Sequence, residues 1–550
     1  MFSKLSFHWK RKQITFLPLF CGKLSAKPIL SIRTKSMKKR LSLVLFLLLF
    51  PVFVFAQDYS AKLAEIDAYA QKVRDDWNVP GLAVAIVKDD KMIFAKGYGV
   101  RDINKPDKVD ENTLYAVASN SKAFTTASLA ILIDEGKIGG WDDKVSKYLP
   151  EFQMYDPYVT NEMTIRDLVS HRSGLDTFSG DLLWYDTTYP TDEILRRVRF
   201  LKPVRGFRAG FGYQNLMFIA AGRIVEKVSG KKWGDFIRER ILTPLGMTHT
   251  TTTVRDLKEN YALPHNESGG KMRALPLGNV DNPVGAVGIN SSVVEMSKWL
   301  RLQLGRGTFE GKKIFSKERS GEMWQQNIFM PVNPFPASNA TTTMYSGYGM
   351  GWFLNDYRGR KLVSHTGGLD GMITQTAMMP SENLGLVVLT NSESNAIGIL
   401  RNKILDVFTD APAPKRDWNA EALAREKQNK ADESEEDKKK DASRVPNTKP
   451  SLALKDYAGT YTSEMYGDVT IAEEDGKLVL RLKPAPNFVA DLTHWHYDTF
   501  QIHWRSSVNY NFPRGWVTFT LDGDGKTDQL KIDQPNNDFW FYELDLKRSK

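Results

Sequence analysis

The chain has 550 residues, of which 41% are hydrophobic and 11% aromatic, with thirteen Trp and forty Gly. That length and composition exclude a disordered chain and suggest more than one domain with a sizeable core. The net charge of +10 arises at the N-terminus, where residues 1–40 hold eleven Lys or Arg and no acid. Subtracting those eleven leaves −1, and a near-neutral remainder gives no electrostatic case for nucleic acid as a partner.

Residues 1–56 read as a signal region. Met37-Lys38-Lys39-Arg40 is a positive start, Leu41 to Phe55 is a short apolar run, and Val54-Phe55-Ala56 before Gln57 approximates a cleavage site. The run is shorter than the roughly 20 residues of a membrane-spanning helix, so no stable membrane insertion is expected after cleavage. The signal peptide is placed at 37–56, with translation expected to start at Met37, and the protein is expected in a bacterial periplasm or secreted. The one cysteine, Cys21, lies upstream of the cleavage point. Disulfides, a thiol nucleophile and cysteine-bound metal are therefore excluded from the mature chain.

Residues 57–410 mix helical and strand patterns. Gly81–Val87 reads as a buried strand and Met92–Gly99 as its hairpin partner. Ser121 to Glu135 is predicted helical up to Gly136, and Leu216 to Val228 is predicted helical up to Gly230. Leu384–Thr390 is an apolar strand and Ile397 to Phe408 a final helix. Residues 411–450 change character. Glu433-Ser434-Glu435-Glu436-Asp437-Lys438-Lys439-Lys440 has no apolar face, and the stretch reads as a solvated, charged linker that can be transiently helical. Residues 451–550 are predicted all-β, with Asp475-Gly476 and Asp522-Gly523 as hairpin signals. His494-Trp495-His496 and the nearby His503 read as barrel residues rather than a metal site, which needs three or four ligands with support behind them. No metal or organic cofactor is expected.

Three short motifs carry the chemistry. Ser119-Asn120-Ser121-Lys122 is a Ser-x-x-Lys set at a helix start, which puts Ser119 and Lys122 on one face a turn apart. The helix N-terminus and burial both disfavour the lysine cation, and a neutral Lys122 can take the serine proton. Tyr213-Gln214-Asn215 adds a phenol, expected as a phenolate base and then an acid, and an amide able to hold both lysine and substrate. His365-Thr366-Gly367-Gly368 is expected to be a strand with His365 and Thr366 facing substrate. Its two glycines allow close approach, and the Gly368 N–H would pair with the Ser119 N–H as an oxyanion hole. The set names a reaction class: acyl transfer through a serine ester. His171 is expected to tie down a loop.

On these motifs the chain resembles the serine β-lactamase-like family, in its class C β-lactamase, D-alanyl-D-alanine carboxypeptidase and esterase branch. Supporting segments are Asp142–Pro150, Leu168–Leu175 and Gly288–Ser292 before Met296–Leu300. The resemblance spans roughly residues 60–410. It implies an α+β fold: an antiparallel sheet flanked by helices, with a helical subdomain and the site between them. It also implies Ser119 as nucleophile, Lys122 and Tyr213 as the base system, and Asn215 and His365 as substrate contacts. Residues 451–550 resemble a lipocalin-like β-barrel appended to some members. Two departures stand out. Family β-lactamases and carboxypeptidases usually have lysine where His365 stands, and the glycine-proline punctuation before Tyr213 is missing. A mostly uncharged histidine does not demand a substrate carboxylate. That shifts the expectation toward a small ester, an amide or a short peptide with D-residues. A β-lactamase or carboxypeptidase, and an acylated sensor with little turnover, remain as alternatives, and homo-oligomerisation is left open.

Overall fold

In the computed structural model, residues 58–332, 343–411, 416–506, 512–536 and 538–549 are described. The signal region expected at 1–56 lies outside them. Strand β1 (Gly81–Lys88) is buried at every residue from Gly81 to Val87, as its unbroken apolar sequence demands of a strand covered on both faces. It pairs with β2 (Lys91–Gly99) across a turn in which Asp89 and Asp90 take positive φ of 51° and 61°. The other strands of this sheet are β3 (Ile328–Met330), β4 (Ser346–Tyr348), β5 (Phe353–Tyr357), β6 (Arg360–Leu369), β7 (Met372–Met379) and β8 (Leu384–Thr390). The order is β2-β1-β8-β7-β6-β5-β4-β3, antiparallel at every junction. The two ends of the domain thus meet at its centre, where Val84 pairs with Val388.

Helices α1 (Ser60–Asp76) and α6 (Ala396–Phe408) pack on each other, and α6 lies on β7 and β8, while α5 (Val293–Leu304) packs on β1 and β8. In chain order α2 (Ser121–Asp134), α3 (Asn215–Ser229) and the single turn α4 (Val284–Val287) come between α1 and α5, and these three pack on one another. The predicted helices are displaced by one residue at most at each end, because Gly136 and Gly230 adopt the left-handed conformation that stops them. The region between α2 and α4 holds short helices and turns, and forms the helical subdomain.

The charged linker is helical over most of its length. Residues Trp418–Ala442 form one 25-residue helix, α7. Its first turn is anchored where the charge run has not yet begun. Trp418 is buried and donates to Asp406, Asn419 accepts from Trp77, and the Asn419 N–H donates to Tyr69. The remainder is solvated, and its far end is tied by Arg514 to Asp441.

The C-terminal strands β9 (Gly459–Ser463), β10 (Gly467–Glu474), β11 (Lys477–Leu482), β12 (Val489–His496), β13 (Thr499–Trp504), β14 (Gly515–Leu521), β15 (Thr527–Asp533) and β16 (Leu546–Arg548) form a closed barrel in chain order. Alternate residues such as Val469, Ile471, Leu478, Leu480, Phe500, Ile502, Val517 and Phe519 are buried, so the inward face is side-chain core. Asp475-Gly476 makes the expected tight turn between β10 and β11, with both φ positive. The Asp522 loop is longer, with the Asp522 carboxylate accepting from Asp524 and Lys526 N–H groups. The histidines are engaged within the protein: His494 bonds the Tyr497 carbonyl and His503 the Thr493 hydroxyl. Sheet domain, helix and barrel form one compact unit from Ser60 onward. Among the described residues no helix is long and apolar enough to cross a membrane.

Helix α4 is set close against α3 because both carry glycine at the crossing. A Cβ on Gly285 would stand 2.5 Å from the Phe218 carbonyl oxygen and 3.1 Å from the Gly222 Cα. Gly285→Ala is expected to lower unfolding stability by about 1–3 kcal/mol through overpacking. Urea denaturation should show a reduced midpoint with an unchanged slope.

Candidate active site

Ser119 sits in a 3₁₀ turn, Ala118–Asn120, that runs directly into α2. Ala118, just before it, has φ of 47°, a left-handed conformation costly for a non-glycine residue. The turn is held from below. The Asn120 amide donates to the Val117 carbonyl and to Thr374, its oxygen accepts from Thr376, and Thr374 also donates to the Val117 carbonyl. These contacts fasten the turn to β7. Strand β6 also passes close to it: a Cβ on Gly367 would lie 2.1 Å from the Val117 oxygen. A side chain at Gly367 is therefore excluded by the packing of strand on turn. Gly368 and Thr366 line the open cavity with Ser119.

Lys122 is fully buried, one helical turn on. Its Nζ lies 2.9 Å from Ser119 Oγ, 2.6 Å from Asn215 Oδ1 and 3.3 Å from the Ala286 carbonyl oxygen. Desolvation pushes its pKa down to about 7, against a raising influence from Asp181. A neutral amine suits the geometry: two N–H groups serve Asn215 and Ala286, and the lone pair faces the serine hydroxyl. Nζ also lies 4.8 Å from the centre of the Tyr213 ring. Burial holds the Tyr213 phenol well above its usual pKa, with a hydrogen bond to Ser119 acting in the opposite direction. The expected phenolate is thereby corrected: Tyr213 stands beside Ser119 as a protonated phenol.

His365 is also corrected. Alternation along β6 turns Thr366 outward and His365 inward, where it is 1% exposed. Its Nδ1–H donates to the Thr366 carbonyl at 2.6 Å, and Nε2 accepts from Tyr348 at 3.0 Å. Burial, then the charge of Lys122, pushes its pKa down to about 3. It is a neutral ring behind Tyr213 and does not face substrate. Tyr348 was not legible in the sequence, since nothing marks a tyrosine on a neighbouring strand as the partner of this ring.

His171 ties down the tyrosine segment. Its carbonyl accepts from the Gly212 N–H at 3.0 Å and its Nδ1 from the Gln214 N–H at 2.9 Å, so the backbone is clamped on both sides of Tyr213. Its ring lies 4.2 Å from that of Tyr213.

The principal residue missed from sequence is Asp181. It is 2% exposed, accepts from Asn215 Nδ2 at 2.6 Å and from Trp184 Nε1 at 2.9 Å, and burial raises its pKa to about 8. Because Asp181 accepts from the amide nitrogen, the amide oxygen of Asn215 must point at Lys122. Ser119, Tyr213 and Asn215 line a cavity of 1330 Å³ whose wall also includes Asp370, Phe353 and, from the barrel, Asp538 and Phe539. Among the described residues no group of three or more His, Cys, Asp or Glu is placed to hold a metal ion.

Comparison with known proteins agrees with this fold. The family model described as Beta-lactamase matches residues 66–406, and one described as a domain of unknown function, DUF3471, matches residues 443–548. The unguisins hydrolase ungD' of Aspergillus campestris is 31% identical over 438 residues, covering 74% of this chain and 77% of that protein. Protein flp of Staphylococcus aureus is 28% identical over 346 residues, covering 60% of this chain and 64% of its own. The octameric penicillin-binding protein homologue from Pyrococcus abyssi superposes with a TM-score of 0.58 at 20% identity, over 86% of this chain and 98% of that one. At that identity the likeness concerns the fold alone. With the family model spanning most of the sheet domain and a hydrolase relative covering three quarters of the chain, this protein belongs to the beta-lactamase family.

Proposed function

We propose that the protein is a serine hydrolase that works through an acyl-enzyme on a small ester, an amide or a short peptide, D-residues included. One observation carries the reading: a fully buried lysine amine, 2.9 Å from the serine hydroxyl. Lys122 takes the Ser119 proton as Oγ attacks the substrate carbonyl, forming the Oγ–C bond. The Ser119 and Gly368 N–H groups hold the oxyanion. Tyr213 passes its proton to the leaving group as the bond to carbon breaks, and Lys122 hands the serine proton on to Tyr213, which restores the neutral amine and the phenol. Water then attacks the ester, one of its protons returns to Ser119, and the acid is released.

His365 bears on the substrate. A ring kept neutral and occupied by Tyr348 offers no cation to a carboxylate, which supports neutral acyl donors over a β-lactam or a peptidoglycan stem terminus. Export through the segment at 37–56 belongs to the same proposal, supported by its charge and apolar pattern.

Wild type is expected to turn over a short-chain p-nitrophenyl ester, and Ser119→Ala to lose turnover and the acyl adduct by intact mass. Turnover persisting in Ser119→Ala would refute the nucleophile. Because the working form of Lys122 is the neutral amine, kcat/KM for this uncharged substrate should rise with pH through about 7 and level off above it. Asp181→Asn removes a carboxyl that burial holds largely protonated at neutral pH, with its pKa raised to about 8, so the acidic limb should stay close to its wild-type position. It also places an amide against the Asn215 amide, and kcat should fall by roughly tenfold or more. A limb moved clearly to lower pH would show that Asp181 is ionised there and acts on Lys122 by its charge.

A further inference from the structure

The loop Thr177–Asp181 lies between the catalytic groups and the barrel. On its catalytic side, Thr177 Oγ1 accepts from the Tyr213 N–H at 3.2 Å, and the Phe178 N–H donates to the Tyr213 carbonyl at 2.8 Å. The Phe178 ring stands edge-on to Tyr213 at 5.4 Å. Asp181 closes the loop and orients Asn215 toward Lys122. This one segment therefore touches the support of both Tyr213 and Lys122.

Its other side is held by the barrel domain, in the stretch between β15 and β16. Trp540 Nε1–H donates to the Thr177 carbonyl at 2.5 Å. Glu543 accepts from the Ser179 hydroxyl at 2.5 Å and from the Gly180 N–H at 2.8 Å, one bond to each carboxylate oxygen. The loop has reason to need outside support. Phe178 and Gly180 take positive φ of 62° and 77°, a left-handed conformation that is unfavourable for the non-glycine Phe178. The loop has only the three-residue 3₁₀ turn Asp181–Leu183 to continue into. The same barrel stretch reaches further. Phe539 packs on Tyr185 with ring centres 4.2 Å apart and, with Asp538, lines the cavity that holds Ser119.

We propose that the C-terminal barrel is a positioning part of the acyl-transfer site: Trp540 and Glu543 fix the loop Thr177–Asp181, and that loop sets Tyr213 and, through Asp181 and Asn215, Lys122. The inference rests on the acyl-transfer reading above, and it assigns a role to the segment whose family model carries none.

The test uses the full chain and a fluorophosphonate probe, with labelling of Ser119 followed by intact mass and ester kinetics in parallel. Glu543→Ala is expected to slow labelling and lower kcat by roughly tenfold or more, with KM within about twofold, since loop placement and not substrate binding is lost. Glu543→Gln should restore most of the rate, because its oxygen still accepts from Gly180 and its N–H₂ donates to the Ser179 hydroxyl. Trp540→Phe keeps the ring and removes the donor. It should also slow labelling, and serves as the test should Glu543→Ala fail to fold. Labelling at the wild-type rate in folded Glu543→Ala or Trp540→Phe would overturn the inference while leaving the serine hydrolase reading intact. An unlabelled wild type would overturn both.

Discussion

The site depends on one constraint: an amine that must be buried without a carboxylate in contact. In water a lysine is a cation and no base. In this fold α4 closes over it, glycine at the α3–α4 crossing allows the close approach, and the Ala286 carbonyl and Asn215 oxygen satisfy two N–H groups. A carboxylate placed directly on Nζ would hold the proton there. Asp181 stands one amide away instead, near enough to raise the lysine pKa but bonded to Asn215 and Trp184. Burial is the larger effect and wins.

The remaining site groups are arranged around that amine as neutral dipoles. Tyr213 stays a phenol and His365 a neutral ring, both through burial. A second cation beside Lys122 would compete for the same acceptors, and a phenolate would pull the proton back onto the lysine. Support comes from rigid neighbours: β7 beneath the Ser119 turn, His171 around Tyr213, and the barrel behind the loop that ends in Asp181. Fold and chemistry meet in the backbone, where a strained Ala118 and a left-handed Phe178 are held by contacts from outside their own segments.

Much of this was legible in the sequence. Ser119 and Lys122 share a face because three residues make nearly a turn, and the apolar run Gly81–Val87 could only be a strand covered on both sides. The helix stops followed from Gly136 and Gly230. What failed has physical causes. The charge run of the linker does not say where its helix is anchored, and Trp418 and Asn419 fix it before that run begins. His365 was turned the wrong way because a triplet does not reveal which side of a strand is inside. Asp181 was invisible because its meaning comes from Asn215, 34 residues on, and the barrel contacts came from more than 360 residues away. Periodicity reports local structure, and these are tertiary contacts.

Whether Lys122 carries a proton decides the chemistry, and NMR titration of its side-chain ¹³Cε resonance, assigned by loss of the signal in Lys122→Arg, measures it directly. The expected midpoint is about 7, set by burial of the amine. A midpoint near 10, the ordinary range of an exposed lysine, would mean that Lys122 is a cation at neutral pH and cannot be the base that activates Ser119.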